Sequence, residues 1–181
     1  MAYEAPALGT AGQVYTAAAH NIIVNDVLVF AVPPMVFATQ SSGQVVPRGT
    51  WTALQWGGAD SYDTDSMHDP ATNNTRITIN TAGVYLINFQ LATTIVTNNG
   101  ALGLAIRLNG GTTPIFARSM LNATEDMSNS LTGVYSLAAT NYIEAFMFHV
   151  YGTASMTTDH NGGADGPAPT SFSATLLGRT S

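Results

Sequence analysis

The sequence contains no lysine and no cysteine, and only 9% of its 181 residues are charged. Soluble domains usually carry about 25% charged residues, so this surface must be covered mainly by Thr, Ser, Asn and Gly. Such a surface suits a subunit that packs into a larger assembly. The five cations are single arginines and the net charge is −6. A nucleic-acid-binding domain needs clustered basic residues, so nucleic acid is not an expected partner.

Other absences in the sequence argue against disulfide-bonded, zinc-thiolate, membrane-inserted and secreted proteins. Without cysteine the chain has no disulfide framework and no thiolate zinc site. No apolar run reaches the roughly 18 residues of a membrane span, so membrane insertion is not expected. No Lys or Arg precedes Arg48, which argues against a secretory signal peptide.

The strongest structural signal is the stretch from Thr75 to Ala92, which reads TRITINTAGVYLINFQLA. Its first half alternates apolar and polar residues, and Ala82-Gly83 then breaks the run, where glycine supplies backbone freedom. Its second half places Tyr85, Ile87, Phe89 and Leu91 on one face, which we expect to fill a core. The other face is apolar at Val84 and Leu86 and polar at Asn88 and Gln90. The stretch by itself predicts a hairpin of a β sandwich.

Pro33-Pro34 marks the clearest boundary in the chain, because proline ends regular structure. It divides a leader, residues 1–34, from a domain, residues 35–181. The leader is predicted to contain a short helix within Ala17–Phe30, with Thr16 as its N-cap. The domain is all β, with predicted strands at Met35–Thr39, Gln44–Val46, Thr50–Trp56, Ala101–Leu108, Thr113–Met120, Ser130–Leu137, Tyr142–Tyr151, Ala154–Thr158 and Ser171–Leu177 besides the stretch above. About eight to ten short strands predict a sandwich or jelly roll.

The segment from Tyr142 to Tyr151 is apolar on both faces. One face carries Tyr142, Phe146, Phe148 and Val150, and the other carries Ile143, Ala145, Met147 and Tyr151. A sandwich strand needs only one apolar face, so the second must contact something else. Association of subunits is the economical explanation, and cover by the N-terminal segment or a loop is the alternative.

Several motifs, in order, resemble those of C1q/tumour-necrosis-factor-like domains. TRITINTAGVYLINFQ resembles the family signature, with Gly83, Tyr85 and Phe89 at its glycine and aromatic positions. RLNGG resembles the family's Asn-Gly hairpin, and SFSATLLG is similar to its final strand. YSLAATNYIEAFM resembles a strand pair usually joined by Gly-Asp, but Thr140-Asn141 stands there, so no acidic role is carried over. The resemblance covers roughly residues 35–179 and implies a trimeric jelly roll.

The leader resembles a narrower group. GQVYTAAAHNIIVNDV is similar to the short leader that opens many small virion proteins of tailed phages infecting actinobacteria. In those proteins a C1q-like domain often follows. The resemblance implies that the leader docks the module onto a virion and other virion proteins, through Thr16, Asn21, Ile22, Ile23 and Asp26. We expect the trimer interface to contain apolar side chains of the two strand signals above, namely Val84, Leu86, Ile143, Met147 and Tyr151.

Candidate chemistry concentrates in an acidic loop. Asp60, Asp63, Asp65 and Asp69 lie within DSYDTDSMHD, and carboxylates spaced on a loop can bind Ca²⁺. The EF-hand pattern is absent, and the alternative is a solvated loop with Asx turns. A glycosidase would need paired carboxylates, for example Asp63 with Asp126, but nothing singles them out. No catalytic motif is present, so neither an enzyme nor a cofactor is expected.

The two tryptophans suggest one further site, a platform for sugars. Core packing is the favoured interpretation for Trp51, whereas Trp56, next to Gly57-Gly58, is the one expected to be exposed. The sequence as a whole predicts a non-enzymatic homotrimeric virion protein, made in the host cytoplasm and located on the virion exterior. The first hypothesis is a minor tail or tail-tip protein that adheres to a host-envelope glycan or protein. The alternative is a capsid decoration or head-spike protein, and a carbohydrate-active enzyme is a third class.

Overall fold

A computed structural model of the chain describes residues 16–18, 20, 21, 24, 27, 31–93, 100–121, 127–152, 155–159 and 169–179. The described residues between 17 and 31 have helical backbone, and the His20 amide donates to the Thr16 carbonyl at 3.0 Å. Every described residue from 16 to 32 is exposed. A short helix therefore precedes the strands, as expected from the sequence.

Twelve strands follow within the described residues. They are β1 Met35–Thr39, β2 Val45–Val46, β3 Thr52–Ala53, β4 Tyr62–Asp63, β5 Arg76–Thr78, β6 Gly83–Thr93, β7 Ala101–Leu108, β8 Pro114–Leu121, β9 Met127–Leu137, β10 Tyr142–His149, β11 Met156–Thr157 and β12 Ser171–Gly178. No helix within the described part of the chain has the length and apolar character needed to span a bilayer.

Two antiparallel sheets form the sandwich. The first sheet has the strand order β4-β1-β12-β6-β9, and the second has the order β3-β10-β7-β8, with β5 also paired to β10. A small third pair joins β11 to β2. The prediction of an all-β sandwich is confirmed, and the predicted bounds of β1 match those observed.

The core lies between the two sheets because each strand alternates its side chains. Tyr85, Ile87, Phe89 and Leu91 of β6 are fully buried, as expected. Leu102, Leu104 and Ile106 of β7 and Ile143, Ala145 and Met147 of β10 meet them from the second sheet. The period-2 pattern of the sequence therefore identified the core face of β6 correctly.

The prediction of a hairpin for Thr75–Ala92 is wrong. β5 pairs with β10 in the second sheet, whereas β6 pairs with β12 and β9 in the first. The residues between them therefore cross from one sheet to the other. Gly83 is required there for space, because a Cβ at this position would lie 2.5 Å from the Gly178 carbonyl oxygen.

The Asn-Gly turn is confirmed between β7 and β8. Asn109 and Gly110 both have positive φ, 52° and 69°, and the Gly111 amide donates to the Leu108 carbonyl at 2.9 Å. Two consecutive positive φ angles define a type I′ turn, whose twist matches that of the flanking strands.

Candidate functional site

The acidic loop folds around Asp63. Its carboxylate accepts hydrogen bonds from the backbone amides of Met67 and His68, each at 2.9 Å, and from that of Asp65 at 3.3 Å. Since two backbone amides at short distance saturate much of the carboxylate, Asp63 organises the loop rather than facing outward as a free ligand.

Two of the neighbouring acids, Asp60 and Asp69, also have hydrogen-bond partners within the loop, whereas one carboxylate oxygen of Asp65 is buried without a partner in the described part of the chain. The His68 ring is fully buried, and its Nδ1 lies 2.9 Å from the Asp60 carboxylate. Asp69 accepts bonds from the Ala71 and Thr72 amides, and these bonds hold the pKa of Asp69 below its usual value. Within the described residues no three acidic or histidine side chains converge as metal ligands. The calcium alternative at Asp60, Asp63, Asp65 and Asp69 therefore has no support from the geometry.

The trimer-interface prediction needs correction on β10. Ile143 and Met147 are fully buried in the core of the single chain, and Tyr151 is almost so. A second subunit cannot reach side chains that already pack between the sheets. The reason is that β10 turns this face inward, so its outward face carries the other apolar set, which includes Phe146 and Phe148.

Val84 and Leu86 lie on the outer face of the first sheet. Leu86 is 38% exposed and lies opposite Val134 of β9, which is 53% exposed. Leu177 of β12, next to Val84 at the strand ends, is 54% exposed. We call Val84, Leu86, Val134 and Leu177 the apolar band. Its four branched side chains lie on three neighbouring strands, β12, β6 and β9.

The outer face of the first sheet becomes polar further along β6. Thr132 donates its hydroxyl to the Asn88 side chain at 2.6 Å, and the Gln90 amide donates to Ser128 at 3.2 Å. The change from apolar to polar that the sequence of β6 indicated therefore extends to its neighbour β9.

The outer face of the second sheet is built differently, from stacked arginines and aromatic rings. Arg76 lies 4.1 Å from the centre of the Tyr142 ring, and Arg107 lies 4.1 Å from that of Phe146. Trp51 packs on Phe148 with 5.3 Å between ring centres. Cations over aromatic faces are attracted by the ring quadrupole, so these pairs cover the second apolar face of β10. We call this surface the aromatic face.

A trench lies beside Trp51 on this face. It has a volume of about 330 Å³ and is lined by small residues of β7 and β8, chiefly Ala101, Gly103, Ala117 and Ser119. A Cβ on Gly103 would lie 2.8 Å from the Trp51 ring, so only glycine lets the indole approach β7 this closely. A second depression of about 730 Å³ lies at the other end, between Arg76, Tyr142 and the acidic loop.

The expectation for the two tryptophans is reversed. Trp56 is fully buried and stacks on Phe172 at 5.5 Å, whereas Trp51 is 39% exposed. The glycines after Trp56 do not expose it. The Gly58 amide donates to the Thr39 carbonyl at 3.0 Å, and this contact holds the segment against β1 with Trp56 turned into the core.

The predicted docking residues are only partly described. Thr16 and Asn21 are exposed, Asn21 in helical backbone, and Ile22, Ile23 and Asp26 lie outside the described residues. Asp126, the possible partner of Asp63 in glycoside cleavage, also lies outside them. Arg107 and Gly103 were not predicted as site residues, although small residues at alternating positions of β7, 101, 103 and 105, were a visible signal.

Comparison with known proteins gives a fold. No family model matches the chain, and no curated protein matches it. Its β sandwich has the C1q/TNF-like jelly-roll fold of two similar solved structures. The globular domain of zebrafish complement 1qA protein is similar, with a TM-score of 0.54 and 14% identity, over 81% of this chain and 99% of that one. Murine APRIL, in a crystal structure at pH 5.0, is similar with a TM-score of 0.54 and 13% identity, over 80% and 98%. Identities this low establish the fold alone.

Proposed function

We propose that the protein is a homotrimeric structural protein of a tailed-phage virion, a minor tail or tail-tip protein that adheres to the host surface. The apolar band carries the proposal of self-association. Leu86, Val134 and Leu177 are each more than a third exposed on one sheet face. Contiguous apolar side chains on a sheet face favour association, because burying them removes apolar surface from water.

The arrangement of the two faces supports the adhesion role. When subunits meet through the apolar band on the first sheet, the aromatic face on the second sheet is directed away from the contact. Each subunit then presents one such surface to a binding partner. The leader supports the virion context through its resemblance to phage leaders, and its described residues up to position 32 are exposed.

Labelling of phage particles tests the location. Purified virions are incubated with gold-conjugated antibody raised against the full chain and imaged by electron microscopy. We expect gold at the tail tip. Gold on the heads would overturn the tail assignment in favour of a decoration or head-spike protein, and particles without gold would contradict the virion role.

Binding of the purified protein to host cells tests adhesion. We expect the fluorescently labelled full chain to remain on host cells after washing and to be displaced by unlabelled protein. Cells that retain no more label than an unrelated bacterium would contradict the adhesion role while leaving the virion location to the gold experiment.

A further inference from the structure

We infer that the trench beside Trp51 binds a pyranose sugar, with an apolar C–H face of the ring stacked on the indole. The inference deepens the proposed adhesion function by naming the receptor class, and it rests on that function for its biological role. The binding itself can be tested independently.

Trp51 is an exposed aromatic side chain that is already fixed in place. Phe148 supports it from below, the backbone at Gly103 limits it on the far side, and Arg107 lies 5.5 Å from its ring. Since its rotamer is set before any ligand arrives, binding costs little side-chain entropy. Tryptophan combines a large apolar ring with a polar N–H, which suits amphipathic ligands.

The shape of the trench favours a small ring over a protein segment. Its volume of about 330 Å³ is at the low end of the ~300–1,000 Å³ typical of small-molecule sites. A peptide could not pair with β7 in the middle of the trench, because β7 is already paired on both sides, with β10 and β8. Ala101, Gly103 and Ala117 carry at most a methyl group, so they leave space in the trench for a sugar ring.

The polar groups beside the indole complement hydroxyl groups. Arg118 lines the trench and is exposed, and one of its guanidinium nitrogens donates to the Ser130 carbonyl at 3.0 Å. Ser119 adds a hydroxyl at the trench wall. The guanidinium would repel the quaternary ammonium ligands that aromatic sites otherwise attract. Donors at the edge of an aromatic platform fit a neutral or acidic sugar, whose ring has an apolar face and a hydroxyl rim.

A single shallow site of this kind binds a sugar weakly, but the proposed trimer carries three such sites and can bind a surface more tightly. The trench lies on the sheet opposite the apolar band, so three copies remain open in the assembled protein. Linked sites gain effective concentration when they engage one surface, and avidity can exceed the single-site affinity by about 10²–10⁴.

The test uses the two tryptophans as an internal pair. The chain has two indole N–H groups, one of which is buried at Trp56. The ¹⁵N-labelled full chain is titrated with methyl β-D-galactopyranoside and methyl β-D-glucopyranoside, whose axial C–H groups form flat apolar faces. Concentrations up to about 100 mM cover the expected millimolar affinity. We expect a saturable shift of the Trp51 signal, assigned by its absence in Trp51→Phe, with Trp56 unmoved. The inference is wrong if neither glycoside shifts the Trp51 signal.

Two variants keep this test specific. Ala117→Leu fills the trench without removing Trp51, so the titration shift should be lost while the indole signal remains. Tyr62→Ala is the matched control, because Tyr62 is 41% exposed and packs on Phe37 at 5.9 Å, on the first sheet. Its sugar titration should equal that of the wild type. An Ala117→Leu protein that binds normally, or equal losses in both variants, would overturn the assignment.

Cell binding separates the inference from the proposed function. If Ala117→Leu lowers retention on host cells and Tyr62→Ala does not, the trench is the receptor site. If cells retain both variants equally, adhesion stands and the trench is not its site. If cells retain neither wild type nor variants but the glycosides still shift Trp51, sugar binding stands and the adhesion role is wrong.

Discussion

Tyr85 shows how a single side chain of β6 serves both the core and the crossing between the sheets. Its ring is buried, and its hydroxyl donates to the Thr81 carbonyl at 2.6 Å, just before β6 begins. Burial raises the pKa of Tyr85 far above its usual value, and the negative Asp65 nearby raises it further. The neutral phenol therefore fixes the residues that carry the chain from β5 to β6.

The raised pKa predicts a loss of stability at alkaline pH. The unfolded phenol loses its proton near pH 10, whereas the folded one retains it, so stability falls as pH rises above about 10. In urea unfolding between pH 7 and 11, the wild type should lose stability more steeply than Tyr85→Phe. At pH 7 the free energy of unfolding of Tyr85→Phe should be lower by about 0.5–1.5 kcal/mol, because the hydrogen bond of the hydroxyl is lost. Parallel curves for the two proteins would contradict this account.

The tryptophans mark the limit of prediction at this scale. Trp51 and Trp56 both stand at alternating positions near a strand, and periodicity alone cannot say which one faces the core. The direction of each tryptophan depends on distant contacts. Trp56 is turned inward by the hydrogen bond between Gly58 and Thr39, and Trp51 lies where Gly103 leaves space for its ring. Neither partner is near in sequence, so residue type and spacing could not predict the outcome.

Among the elements, β6 was the best predicted and its connection to β5 the worst. The alternation of β6 identified its core face because one side of a sandwich strand must be apolar. Two neighbouring strand signals joined by a short turn normally indicate a hairpin. Here the pairing is decided by β10 and β12, which lie more than 60 residues further along the chain.

Gly83 provides a test of the crossing. A methyl group there would meet the Gly178 carbonyl, and backbone cannot give way as a flexible side chain can. Gly83→Ala should therefore destabilise the protein by about 1–3 kcal/mol in urea unfolding, as overpacking does. Gly178→Ala is the control, because its Cβ would face open space, and it should stay close to wild type. Equal stability of the two variants would show that Gly83 is not under steric constraint.

In the turn before β10, a substitution is expected to raise stability rather than lower it. Thr140 has a φ of 72°, in the left-handed region, where the resemblance places glycine in related domains. For a residue other than glycine this conformation costs roughly 1–2 kcal/mol, more than the roughly 0.5–1 kcal/mol entropy cost of glycine itself. Thr140→Gly should therefore raise stability by up to about 1 kcal/mol, measured by thermal and urea unfolding. A destabilised variant would mean that contacts of the threonine outweigh the strain.

For the whole molecule, the sequence predicted the sandwich but only part of its surface. The turn residues and short alternating strands predicted a sandwich or jelly roll, and the choice of the jelly roll came from the resemblance to C1q/TNF-like domains. The outward side of β10 was misjudged, since both of its faces are apolar and no local pattern separates them. Val84 and Leu86 do lie outward, and with Val134 and Leu177 they define the apolar band.

The mass of the purified full chain in solution tests the central claim most directly. Light scattering at micromolar concentration should give three times the 18.9 kDa of one chain. Leu86→Asp should shift the mass toward a single chain with its strand content unchanged in circular dichroism, because a charge in the apolar band opposes its burial. Asn88→Asp on the polar part of the same strand should affect the mass much less. A wild-type protein with the mass of one chain, or a Leu86→Asp trimer, would contradict association through the apolar band.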